Sequence, residues 1–124
     1  MTERFTKLEQ AALTAIVAES DDKSSALANL LFNARVASRQ NSGGGFFTTI
    51  LPDYDASPLI GEQHFGRSVF ADIDGMDYGI GLILHLRMGR PHLLEGYSQG
   101  GEDTHDLDFT KVGFRIHTAY QPNP

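Results

Sequence analysis

The residue most unlike its surroundings is Glu95, in the apolar stretch Pro91-His-Leu-Leu-Glu-Gly-Tyr-Ser98. A carboxylate in an apolar strand can serve as a general base, or can hold a cationic or amide group, when aromatic neighbours shield it from water. The competing reading is a strand Glu on the solvent side of a sheet, because an isolated buried carboxylate is costly. Tyr97 follows two residues later, so the period-two alternation of a strand puts both side chains on one face. His85 and His92 lie on the two arms of the hairpin that contains Glu95. With Phe70, from an alternating stretch upstream, Glu95, Tyr97, His85 and His92 make up the candidate ligand-binding set. No catalytic residue is assigned.

The relative position of the two histidines turns on the Arg87-Met-Gly-Arg90 turn. A two-residue Met88-Gly89 loop pairs His85 with His92 directly. A three-residue turn with a bulge at Gly89 moves His92 opposite Leu84. Met-Gly lacks the Asn or Asp that favours the first type, so both registers stay open. A histidine pair needs a third ligand to hold zinc, and no HExxH-type motif supplies one. The acidic stretch with Glu102, Asp103, His105, Asp106 and Asp108 has oxygen ligands of the kind hard cations favour, but not EF-hand spacing. It reads as a solvated turn whose carboxylates cap backbone groups. Asp72-Ile-Asp74-Gly75 reads as a turn lead-in. No metal and no cofactor are expected.

Covalent catalysis has little support. There is no cysteine, and neither Ser42 nor Ser98 sits in a nucleophile elbow. Gly43-Gly-Gly45 permits close backbone approach, but phosphate-binding loops lead from a strand into a helix. Here the predicted order is helix, then strand, so the glycines read as a flexible turn.

These groups must be positioned by an α+β frame. Phe5, Leu8, Ala12 and Ile16 recur at helical spacing and predict a helix over about 2–19, with Thr2 as its N-cap. Leu27, Leu30, Leu31 and Ala34 predict a second over about 23–38, capped by Asp22 or Ser24, with Arg35 and Arg39 near its C-terminal end. Strands are predicted over about 45–51, 68–74, 79–87, 91–98 and 112–120, and residues 121–124 as a frayed tail. Residues 52–66 form a long polar connection. The expected architecture is one domain, 1–124: an N-terminal helical hairpin packed on one face of a four- to five-stranded, mainly antiparallel meander. Its other face would carry Phe46 or Phe47, Phe70, His85 and Tyr97.

Bulk properties narrow the partners. The net charge of −6 and the lack of a basic cluster argue against nucleic acid. The longest apolar run, Ile80–Leu86, is too short to cross a bilayer, and the first residues lack the shape of a signal peptide. The expected setting is cytoplasmic, away from membranes.

Two stretches carry a resemblance: Asn41-Ser-Gly-Gly-Gly-Phe-Phe-Thr-Thr49, and Leu93-Leu-Glu-Gly-Tyr-Ser98 with the preceding Gly79-Ile-Gly-Leu82. They resemble small bacterial proteins of unknown function that pair a helical N-terminus with a Gly-Phe-Phe-Thr strand and a Leu-Glu-Gly-Tyr strand. The resemblance covers roughly the C-terminal two thirds and implies no activity. The Leu-Glu strand is also similar to strands of some immunity-type proteins, which implies partner inhibition by analogy alone.

Two functions therefore compete. One is a non-enzymatic interaction or regulatory module, a homodimer or the binder of a protein partner. The other is a small-molecule-binding protein or enzyme with Glu95 in an aromatic cleft. The second requires a histidine on the face that carries Glu95 and Tyr97.

Overall fold

In the computed structural model, which describes residues 3–61 and 63–118, the first helix opens at Thr6. The Thr6 hydroxyl accepts from the Glu9 amide at 3.2 Å, and the Glu9 carboxylate accepts from the Thr6 amide at 2.7 Å. This reciprocal capping box fixes the start of α1, Lys7–Glu19, five residues later than residue 2. Thr2, the expected cap, lies outside the described residues. Leu8, Ala12, Leu13 and Ile16 form the buried stripe of α1. A single 3₁₀ turn, Asp21–Lys23, leads into α2, Ser24–Phe32, which buries Leu27 and Leu30. The N-terminus of α2 has no side-chain cap, so neither Asp22 nor Ser24 plays that part.

The second helix ends six residues earlier than expected. Residues Arg35–Asn41 form an edge strand, β1, paired antiparallel with β2, Gly45–Leu51. Arg35 and Arg39 are therefore strand residues. Helical spacing in the preceding leucines extends past Phe32 only by accident; the ladder offered by the strand-forming Phe46–Leu51 outweighs local preference. The glycines are the hairpin turn between these strands. Ser42 N–H donates to the Gly45 carbonyl at 3.1 Å, and Gly43 N–H donates to Asn41 Oδ1 at 2.9 Å. Gly43 and Gly45 take φ of +83° and +136°, which L side chains rarely adopt.

Five more strands complete the sheet: β3 His64–Phe65, β4 Val69–Ile73, β5 Ile80–Arg87, β6 Arg90–Ser98 and β7 Phe114–Thr118. The expected four to five strands become seven, because Arg35–Asn41 pairs as a strand and the two-residue β3 adds to the edge of β5. The order is β1-β2-β6-β5-β4-β7, with β3 also against β5, and every pairing is antiparallel. It is not a meander: β6 lies between β2 and β5, so the chain leaves β2, builds the far side of the sheet and returns. The part of the last predicted strand beyond residue 118, and the tail, lie outside the described residues.

Both helices cover one face. Ile80, Leu82 and Leu84 of β5, Leu94 of β6, Phe46 and Ile50 of β2, and Val69, Ala71 and Ile73 of β4 meet them in one core. Each fully buried aliphatic side chain contributes about 1.5–3 kcal/mol of transfer free energy. Phe46 is thus the inward member of the Phe-Phe pair and Phe47 the outward one. Among the described residues no helix is long and apolar enough to cross a membrane.

Candidate interaction face

The sheet surface turned away from the helices is assembled by strand alternation. From β2 it takes Phe47 and Thr49; from β6, Leu93, Glu95 and Tyr97; from β5, Gly81, Ile83 and His85; from β4, Phe70 and Asp72. The ladder sets them in rows. Phe47, Glu95 and Ile83 make one row, and Tyr97, Gly81, Phe70 and His117 another. Four of the five sequence-selected residues, Glu95, Tyr97, His85 and Phe70, therefore share this face.

Glu95 is not isolated. His85 Nε2 lies 2.9 Å from Glu95 Oε1, and their side chains are 38% and 29% exposed. The carboxylate accepts from the ring when Nε2 carries the proton. Glu95 is therefore a half-shielded carboxylate within hydrogen-bond distance of an imidazole, intermediate between a solvent-side strand Glu and a desolvated base.

The turn resolves the register in a way neither expectation covered. Met88-Gly89 is a two-residue loop with φ of +51° and +80°, and Arg87 pairs with Arg90. This is the primed turn that suits strand twist. The register then shifts between His85 and Leu86, so Leu93, not His92, stands opposite His85. His92 is the extra residue of a β-bulge. Burial, and the nearby charges of Arg87 and His85, hold its pKa below the ordinary value. Opposite His85 on the other side is His64 of β3.

The glycines of the Gly79–Leu82 and Leu93–Ser98 stretches have a packing role. The Tyr97 ring lies across Gly81, its ladder partner: a Cβ there would fall 2.1 Å from Tyr97 Cζ. On the helix side the Phe46 ring lies across Gly96, where a Cβ would fall 2.4 Å from Cε1. An aromatic ring over a cross-strand glycine restores the packing the glycine lacks. Phe70 stacks on His117 with centroids 5.8 Å apart and planes at 28°. Asp72 beside them meets Arg115 at 3.0 Å and His117 at 3.4 Å.

A second polar cluster lies on the helix side and was not anticipated. Glu9 is only 3% exposed. Its oxygens accept from Arg39 Nε and Nη2 at 2.9 and 2.8 Å, from Thr48 Oγ1 at 2.6 Å and from the Thr6 amide. Arg39 also bonds Glu3 and the Arg4 carbonyl. Burial alone would raise the Glu9 pKa, but the bonds from Arg39, Thr48 and Thr6 and the Arg39 charge together hold it below the ordinary value. The Thr6-x-x-Glu9 capping pattern was the available signal.

In the acidic stretch the carboxylates do cap backbone groups. Glu102 accepts from the amides of Asp77 and Tyr78, Asp103 from that of His105, and Asp108 from that of Thr110. Among the described residues no three His, Asp or Glu side chains gather as a metal site. No protein-family model, no curated protein and no solved structure matches this chain.

Proposed function

We propose that this domain is a non-enzymatic interaction module whose open sheet face pairs with the same face of a second copy. The observation that carries the proposal is a difference in charge. The chain bears −6 overall. On the open face Glu95 and Asp72 stand against Arg87, its ladder partner Arg90, and Arg115, so with neutral histidines this face has none of the chain's acidic surplus. Two copies repel each other most where their acidic surfaces meet, and this face is the one that avoids that acidic repulsion. Phe47, Ile83, Leu93, Phe70 and Tyr97 are each half-buried, and together they supply apolar area to remove from water. Six strands at ~4.8 Å spacing give a face about 25–30 Å across, a width in keeping with standard protein interfaces. The proposal includes a cytoplasmic setting, resting on the cysteine-free sequence.

The second reading, a small-molecule site or enzyme built on Glu95, draws on the His85–Glu95 contact between Phe47, Leu93 and Tyr97. It fits less well. Glu95 sits on a broad sheet surface, and the best-formed cavity lies on the opposite layer. Ligand sites are concave as a rule.

The test is the molar mass of Tyr97→Asp and Phe70→Asp by light scattering. The proposal expects both to be monomers while the native chain is a dimer. A mass unchanged from the native chain in both variants overturns it. Glu95→Gln separates the readings, since self-association should survive that change and ligand binding at Glu95 should not.

A further inference from the structure

The best-formed cavity of the described residues lies where α1, β1, β2 and the loop after β6 meet, on the helix side of the sheet. Its volume is about 280 Å³, near the small end of ligand pockets, which run from about 300 to 1,000 Å³. That suits one ring and a short arm. The floor is apolar: Leu8, Phe46, Leu107 and Phe109. The Phe46 and Phe109 rings sit 5.1 Å apart, tilted at 46°.

The back wall is the Glu9–Arg39 pair, and its capacity is spent. The two Glu9 oxygens already take four donors, and Arg39 is committed to Glu9, Glu3 and the Arg4 carbonyl. Neither a free acid nor a free anion grip is left there. The mouth differs. Asp108 Oδ1 accepts from the Thr110 amide at 3.0 Å and from Thr110 Oγ1 at 2.6 Å, while Oδ2 has no partner among the described residues. The Thr110 bonds favour the ionised form of this carboxyl. Lys111 on the same turn adds its charge to that effect without approaching Asp108 to salt-bridge distance. His105 also borders the cavity, with its ring on Asp103 at 2.6 Å. Gln40 borders the cavity through its backbone, since its ladder partner is the outward-facing Phe47.

We propose that this cavity binds a small organic cation, a protonated primary amine carried on a single aromatic ring. The ring rests against Phe46 and Phe109, and the ammonium meets Asp108 Oδ2. A neutral ligand of the same shape forgoes the charge-assisted bond, and an anion meets like charge. This site is independent of the open face, and its failure would leave the self-association reading standing.

The test uses three probes of one size, 2-phenylethylamine, 2-phenylethanol and phenylacetate, titrated into the ¹⁵N-labelled chain. The amine should shift the backbone amides of Gln40 and Leu107–Thr110 saturably. The alcohol should bind about tenfold or more weakly, the expected loss of one charge-assisted bond, and phenylacetate more weakly still. Asp108→Asn keeps an acceptor for Thr110 and should bring the amine down to the affinity of the alcohol. Equal binding of all three probes, no shifts at these amides with the amine, or undiminished amine binding by Asp108→Asn would each overturn the proposal.

Discussion

Arg39 holds Glu9 with two nitrogens, Nε on one carboxylate oxygen and Nη2 on the other, and so ties edge strand β1 to helix α1. Removing one partner of a buried pair leaves the other charge uncompensated. Arg39→Ala should cost about 3 kcal/mol, whereas Thr48→Val, which deletes one bond to the same carboxylate, should cost about 1–2 kcal/mol. Glu3, 67% exposed in its side chain, is a rim partner. Glu3→Gln should cost less than about 1 kcal/mol. Urea titration of the three variants checks the ranking.

The pH dependence has two acid limbs. Glu9 is held below its ordinary value of 4.5, so the unfolded chain takes up that proton more readily. Its contribution is complete above 4.5 and is lost as pH falls through the folded value. His92 is also held low, by burial and by Arg87 and His85, against an ordinary value of 6.5. Its neutral form is favoured in the fold, so stability starts to fall as pH drops through 6.5. Melting temperatures between neutral and acid pH should show both limbs, with the upper one absent in His92→Gln.

The Met88-Gly89 turn asks a methionine to adopt φ of +51°. Asparagine tolerates that region and favours this turn. Met88→Asn should stabilise the domain by about 0.5–1 kcal/mol. Gly89→Ala should do the reverse, because its Cβ would lie 2.1 Å from the Leu59 carbonyl oxygen. Thermal melts of the two variants should move in opposite directions.

Gly81 and Gly96 should respond differently to alanine. At Gly81 the obstacle is the end of the half-exposed Tyr97 side chain, which can swing away. Gly81→Ala should alter the Tyr97 ring resonances with little loss of stability. At Gly96 the obstacle is the Phe46 ring, 5% exposed in the core. Gly96→Ala should cost about 1–3 kcal/mol by overpacking. NMR spectra with denaturant titrations distinguish the two outcomes.

Much of the frame was legible. Alternation in Phe46–Leu51, Val69–Ile73 and the hairpin around Gly89 located four strands to within a residue or two, because each has a buried and an open side. The strand Arg35–Asn41 was not legible. It lies at an edge, its residues are polar, and the leucine spacing of Leu27–Leu31 runs straight into it. Glu95 and Tyr97 could be placed on one face by parity alone, but the His92 bulge could not, since a one-residue insertion leaves no mark on composition. Glu9 was hidden for a related reason: its burial depends on Arg39 and Thr48, thirty or more residues away.

The most direct test of the central claim is sedimentation equilibrium of the native chain from low micromolar to submillimolar concentration, beside Tyr97→Asp and Phe32→Asp. Phe32 is 80% exposed on the helix layer, away from the sheet face, and controls for general apolar stickiness. The account predicts a dimer of twice the 13.6 kDa chain mass, strengthened by salt that screens the −6 charge, kept in Phe32→Asp and lost in Tyr97→Asp. A native chain that stays monomeric throughout, or a dimer that Phe32→Asp abolishes and Tyr97→Asp leaves intact, would contradict it.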